Sequence, residues 1–211
     1  MKFKLLLFLI FPFGLISQNQ LTSTQTFSFN LATTYVDHLT NREVLFLTNS
    51  NDNSYKLRVV EAHEEDKMEL YFTLADTLFS NMIIPKSDFY KAEIINVGQG
   101  YKTREPYEIN LKDYKVERLK DTIIKSKSCS HYKIGVKPRK HSMHIINQLE
   151  ITDIKPIILA APMYQIWENG KLPINGYFER FYFEDKKGNI VECNYEQQQQ
   201  MACEKYLSIK L

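Results

Sequence analysis

At 211 residues, 44% of them hydrophobic and 13% aromatic, the chain has material for one packed core and the ordinary length of an all-β unit. Its formal charge is +2, and Lys and Arg interleave with Glu and Asp, as in Asn41-Arg42-Glu43 and Tyr114-Lys115-Val116-Glu117-Arg118. That pattern lacks the one-sided basic charge of a nucleic-acid protein, so no nucleic-acid partner is expected. Seven glycines without fixed spacing exclude a solenoid or propeller.

Residues Met1 to Ser17 read as a secretory signal peptide: Lys2 and Lys4 give the positive end, Leu5 to Ile16 the apolar middle, and Ser17 a small residue before Gln18. The apolar run is about twelve residues, short of the roughly twenty that a spanning helix needs. Pro12 and Gly14 interrupt it further. The expected product is residues 18–211 as a single all-β domain, secreted or periplasmic in the cell envelope, with no stable transmembrane span after signal removal. Loss of Lys2 and Lys4 takes the 27 basic residues to 25, against 25 acidic ones.

From Thr33 onward short runs alternate apolar and polar residues, the period of half-buried strands. Thr33 to His38 and Glu43 to Thr48 are strands, and Asn49 to Ser54 is the strongest turn signal. Tyr55 to His63 follows, and a turn at Glu64-Glu65-Asp66-Lys67 leads to Met68 to Ala75, where Met68, Leu70, Phe72 and Leu74 share the face expected to be buried. Asn81 to Ile84 and Phe89 to Val97 extend the pattern to a turn at Gly98-Gln99-Gly100.

Strands are expected at Tyr107 to Leu111, Tyr114 to Leu119, Thr122 to Ser126 and Cys129 to Val136, with His144 to Ile151 open between strand and short helix. Pro156 to Ala161 has no clear pattern. Met163 to Glu168 reads as a strand entering an Asn169-Gly170 hairpin. Tyr177 to Glu184 carries rings on both faces, so it is central to the sheet or lines a cavity. After a turn at Lys186 to Asn189 come a strand at Ile190 to Tyr195, a short helix of good helix formers at Glu196 to Lys205, and a last strand at Tyr206 to Leu211. The fold class is all-β: an antiparallel curved sheet, an incomplete barrel or sandwich, with at most one or two short helices.

Few residues suggest chemistry. Cys193 and Cys203 share strand parity with inward neighbours, and a bridge between them would add roughly 2 to 3 kcal/mol by closing a short loop; an unpaired buried thiol is the competing account for each. Cys129 with His131 has the types of a nucleophile and base, but i and i+2 on a strand stand about 6.6 Å apart. His141 and His144 lack a neighbouring carboxylate and sit beside Arg139 and Lys140, so no metal is expected. The basic stretch Lys133 to His144 reads as a solvated loop. No catalytic residue and no cofactor are assigned.

Ser128-Cys129-Ser130-His131-Tyr132-Lys133-Ile134, then Lys171-Leu172-Pro173-Ile174-Asn175-Gly176 running into a strand and a Gly-Asn turn, give an ordering that resembles GLPGLI-like and related secreted proteins of Bacteroidota over roughly residues 120 to 195. Those look similar to the LolA-like half-barrel. The resemblance implies a curved antiparallel sheet that, in the lipoprotein carriers, holds acyl chains, and it implies no catalytic residues.

The function expected is non-enzymatic binding of a lipid or other apolar or amphipathic small molecule on a concave sheet, with Phe178, Phe181, Tyr182 and Phe183 as the ligand-binding candidates. The alternative is a structural or adaptor module that binds an envelope protein through an exposed strand edge. A hydrolase built on Cys129 or the histidine pair stands behind both.

Overall fold

The computed structural model describes residues 23–210 other than 76, 98–100, 104, 106–108, 137–140, 150–152 and 160. The signal segment, the Gly98-Gln99-Gly100 turn, and parts of the strands expected at Tyr107 to Leu111 and His144 to Ile151 lie outside the described residues. The strands are β1 (Thr24–Asp37), β2 (Arg42–Asn49), β3 (Asp52–Glu61), β4 (Lys67–Leu74), β5 (Leu78–Pro85), β6 (Ile94–Val97), β7 (Tyr101–Thr103), β8 (Tyr114–Arg118), β9 (Thr122–Ile124), β10 (Lys127–Val136), β11 (Ser142–Gln148), β12 (Phe178–Glu184) and β13 (Ile190–Lys210). Two short helices accompany them, α1 (Lys86–Lys91) and α2 (Ala161–Glu168), with one 3₁₀ turn at Leu111–Asp113.

All thirteen strands join one sheet, in the order β7-β5-β4-β3-β2-β1-β13-β12-β11-β10-β8, with β6 paired to β13 and β9 to β10. Every pairing is antiparallel except β6 with β13. The sheet is open and does not close into a barrel. No helix among the described residues is long and apolar enough to cross a membrane.

The period-two pattern has a consequence in the central strands that simple inside-outside alternation does not capture: both faces are buried. Val44 and Phe46 of β2 point to one core while Leu47 points to the other, and Val60 and Val59 of β3 divide the same way. The second core gathers Phe27, Phe29, Leu57, Met68, Leu70, Phe72, Leu207 and Ile209, closed by Phe89 of α1 and Ile95 and Val97 of β6. The face predicted for burial on β4 is thus the buried one. The first core lies on the opposite face, over β10, β11 and β12, and is covered by residues 153–176, with Ile157, Ile158, Met163, Ile166, Leu172 and Ile174 inward. Burying each such aliphatic side chain contributes roughly 1.5–3 kcal/mol. The expected all-β class, one antiparallel sheet that stays open with two short helices, is the one observed, and its central strands carry a core on each face.

Three elements differ from expectation. Phe89 to Val97 is not one strand: Pro85 precedes a helical turn at α1, and only Ile94–Val97 is extended. Lys205 Nζ donates to the Phe89 and Ala92 carbonyls at 2.7 and 2.6 Å, placing a cation at the negative end of α1. Glu196 to Lys205, expected as a helix, is the middle of β13, because thirteen residues of β1 pair along it from Thr24↔Lys210 to Asp37↔Tyr195. Tertiary pairing there outweighs the good helix propensity of Gln, Met, Ala, Glu and Lys.

Met163 to Glu168, expected as a strand, is α2. Met163, Ile166 and Trp167 recur at helical spacing on its inward side, and Asn169-Gly170 ends the helix instead of turning a hairpin. Gly170 sits at φ +70°, its N–H bonds the Trp167 carbonyl at 2.8 Å, and Lys171 N–H bonds the Ile166 carbonyl at 3.0 Å. These are the two bonds of a Schellman cap, which places a left-handed residue at the first position past the helix. Nothing lies within 4 Å of a Cβ added at Gly170, so Gly170→Ala is expected to cost only the left-handed backbone term, about 1 kcal/mol, read as a small fall in the urea midpoint.

Candidate functional site

The candidate rings do not act as one group. The pairing of β11 with β12 slips between Ile146 and Asn147, leaving Glu179 as the extra residue of a bulge. The slip puts Phe178 and Phe181 on the same face, which strict alternation separates. Both are buried in the first core: Phe178 stacks on Tyr35 with centroids 4.4 Å apart, and Phe181 lies 5.6 Å from Phe178 and 5.4 Å edge-on to Phe183. Residues 153–176 roof these rings. Tyr182 is on the opposite face, stacked flat on His144 at 4.6 Å and 10°.

Cys193 and Cys203 are free thiols, and so is Cys129. Both candidate bridge partners lie on the single extended strand β13, ten residues apart, which is about 33 Å at the usual rise. The Cys193–Cys203 disulfide is thus corrected: no bridge spans that distance without dismantling the strand. Cys193 instead occupies a bulge at φ +45°, where the register to β12 passes from Glu192 to Tyr195. Cys129 is wholly buried with its thiol on the Lys127 carbonyl at 3.5 Å, and burial raises its pKa, away from thiolate chemistry.

His131 meets His144, Nε2 to Nδ1, at 2.9 Å. His144 is 2% exposed; its Nε2 lies 3.4 Å from Ser142 Oγ and 3.5 Å from Glu184, and Glu184 also pairs with Lys133 at 3.3 Å. Burial pushes the His144 pKa down to about 4, against the opposing pull of Glu184, and lowers that of His131 for the same reason. Among the described residues no three His, Cys, Asp or Glu side chains form a metal-holding group. A neutral histidine chain closed by a carboxylate is a satisfied polar network on the sheet's outer side. The cleft of about 550 Å³ next to it is lined by Lys133, Ser142, Glu184 and Lys186 among others, with Lys133 already paired to Glu184.

A different place combines apolar walls with unmet polar groups. Where residues 153–176 pass over β3, β4 and β5, a cleft of about 260 Å³ opens at the border of the first core. The sheet register sets its floor: Lys56 opposite Thr73, Thr73 opposite Phe79, and Arg58 opposite Tyr71. Ile158, Leu159 and Tyr164 form its roof. The roof is pinned beside the β2–β3 turn by Lys155 N–H to the Ser50 carbonyl at 3.0 Å.

Arg58 lies over the Tyr71 ring at 5.0 Å, and its Nε is buried with no hydrogen-bond partner. Asn53, 9% exposed, has its Nδ2 in the same condition. None of the described lining residues carries a carboxylate. Sequence reading passed over these residues because Asn53 belongs to a strong turn signal and Arg58 alternates with Leu57 and Val59, which is how a solvated strand position looks. Only the roof, contributed a hundred residues later, makes them a site.

No protein-family model matches the chain, the GLPGLI group included, and no curated protein matches it. Among solved structures the chain is similar to a crystal structure described as a "putative outer membrane lipoprotein-sorting protein domain from Vibrio parahaemolyticus", with 7% identity, a TM-score of 0.33, and coverage of 84% of this chain and 85% of that one.

Proposed function

We propose that this protein binds an apolar or amphipathic small molecule in the cleft between the sheet and residues 153–176, as a non-enzymatic component of the cell envelope. The observation that carries the reading is the cleft itself, which Phe79, Ile158 and Leu159 line at the border of the first core. Concave sites with mostly apolar walls and a few placed polar groups are the usual form of small-molecule sites. Phe178 and Phe181 then serve as the support beneath the roof, and Phe183 packs beside them.

Nile red, a neutral apolar dye, tests it with the purified protein. Emission is expected to rise with saturation at one dye per chain, and Thr73→Phe, which fills the cleft from β4, is expected to abolish the rise while the far-ultraviolet spectrum stays that of a sheet. A folded native protein that gives no response, and from which organic solvent extracts no bound molecule, overturns the reading.

A second reading, an adaptor for an envelope protein, has one observation in its favour. Opposite β1, strand β13 pairs with β12 up to Glu196 and with β6 from Tyr206, so among the described residues 197–205 have no partner strand on that side. An extended segment of another protein pairs with such an edge by strand addition. Elution of the protein alone and monomeric from an envelope extract counts against it.

A further inference from the structure

We propose that the open stretch of β13 between β12 and β6 takes a short, unstructured segment of another protein as an added strand, uncharged except for a Lys or Arg at the end that lies by Glu93 and Glu204. This rests on the adaptor reading above and names the form and charge of the partner.

β1 runs along the whole stretch, from Phe29↔Lys205 to Tyr35↔Gln197, and holds it extended, while its other side meets no strand among the described residues. The gap is bounded at both ends. Lys125 Nζ donates to the Gln197 carbonyl, and Lys205 Nζ is turned to the Phe89 and Ala92 carbonyls of α1. Gln198 to Glu204 is left, seven residues or about 23 Å of strand. Bulges bend β13 at Gln198 and at Cys203 to Glu204, and between them Gln199 to Ala202 keep regular register with Thr34 to Leu31. Gln198, Gln199, Met201, Ala202 and Glu204 are exposed. The stretch contains no Pro, Lys or Arg, the residues that commonly spoil an edge for pairing, so its main chain is a template for one more strand.

The recess decides the form of the occupant. β12 and β6 stand on the same side of β13, one strand spacing of about 4.8 Å further out, so the open stretch lies at the bottom of a notch. A second copy cannot reach it with its own β13, because the β12 and β6 beside that strand would need the layer through which the first β13 continues. Any edge strand longer than the notch meets the ends of β12 and β6. A single flexible segment fits.

Charge sets the rest. Glu204 accepts the Tyr206 hydroxyl at 3.0 Å, and Glu93, whose carbonyl accepts the Tyr206 N–H at 2.9 Å, acts on the same hydroxyl. Neither carboxylate is in an ion pair with a described residue, and neighbouring Lys205 is engaged by the α1 carbonyls. At the other end Lys125 and Lys127 are already answered by Glu196 and Glu179. Only the Glu204 end therefore calls for a charge, and that charge is positive. A strand antiparallel to β13, as β1 and β12 are, puts its first residue there.

The test adds heptapeptides to the purified protein: acetyl-Lys-Thr-Val-Thr-Gln-Thr-Val-amide, the same peptide with Gln or Glu in place of Lys, and a Lys peptide with Pro-Pro at its centre, which lacks pairing N–H groups on both edges. Anisotropy of the labelled peptide reads binding, and amide hydrogen exchange of the protein reads its place. The Lys peptide is expected to bind one per chain, to slow exchange within residues 198–204, and to bind about fivefold tighter than the Gln peptide, with the Glu peptide weaker again. Glu93→Gln with Glu204→Gln, both exposed, is expected to remove that preference and leave the fold unchanged. The Pro-Pro peptide is expected not to bind, and the protein alone to sediment as a monomer.

A Gln peptide that binds as tightly as the Lys peptide overturns the charge while sparing strand addition. Equal binding of the Pro-Pro peptide overturns main-chain pairing. A dimer whose residues 198–204 are protected without any peptide overturns the recess and seats a second copy there. If the Lys peptide does not bind and exchange at 198–204 is unmoved, the adaptor reading falls as well, whatever Nile red shows for the other cleft.

Discussion

Acidification from pH 7 to below 4 is expected to destabilise the protein by about 3 kcal/mol through His144 alone. In the unfolded chain an imidazole takes up its proton near pH 6.5, whereas the folded His144 does so only at about 4. Between those values the unfolded state therefore holds more protons, and lowering the pH favours it. The stability is fully present above pH 6.5, declines through the interval, and is lost below 4; at about 1.4 kcal/mol per pH unit the total is of the stated order.

The cause is first of all burial, since the charged ring would lose its water beneath Tyr182. Only one N–H fits between His131 Nε2 and His144 Nδ1 at 2.9 Å, so the two rings cannot both be imidazolium, and Lys133 close by adds like charge. His131, whose pKa is also lowered, acts in the same direction. Urea unfolding at pH 7, 5.5 and 4 measures the slope, and His144→Gln should flatten it whatever that variant's stability at pH 7. An unchanged slope in His144→Gln assigns the acid sensitivity elsewhere, to the paired carboxylates Glu61, Glu117 and Glu196, which titrate lower.

Truncating Phe181 to Ala is expected to cost about 3–5 kcal/mol, the range for removing a buried aromatic ring. Phe181 is 1% exposed and touches Phe178, Phe183 and Tyr195, with Met163 and Ile166 of the roof in the same core. The space left by the ring cannot collapse easily, because strands on both sides fix its neighbours in register. The urea midpoint should fall steeply with the m value kept. Arg58→Met, by contrast, removes a group without a hydrogen-bond partner at its Nε and should move the midpoint little. If Phe181→Ala instead barely shifts the midpoint and takes Nile red binding with it, the ring faces the ligand and the roof is not seated on it.

The sheet was legible where alternation is strong, as in Met68, Leu70 and Phe72, whose face is the buried one. It was misread where pairing or capping decides. Gln197 to Gln200 and Glu204 have no extended preference of their own and are strand because β1 lies beside them. Asn169-Gly170 serves a hairpin and a helix end equally well, since both want a left-handed glycine, and only Met163, Ile166 and Trp167 at helical spacing distinguish them. The candidate rings were found by composition, but the bulge at Glu179 that sorts them into core and outer face leaves no mark on the residue pattern. The cleft was invisible for a different reason: its floor and roof are remote in the chain, and an unmet donor is a property of the assembled structure.

The pairing of β1 with β13 also sets the order of events in folding. Thr24 meets Lys210, so the strand nearest the start of the described chain waits for the one nearest its end. Neither hydrophobic cluster can be sealed earlier, since Leu207 and Ile209 complete one and Tyr195 the other. Contacts of such long sequence separation place maturation among the slow, millisecond-to-second folders. Until β13 pairs with β1, the cluster of Phe27, Phe29 and Leu47 lacks Leu207 and Ile209 and keeps apolar surface open to water.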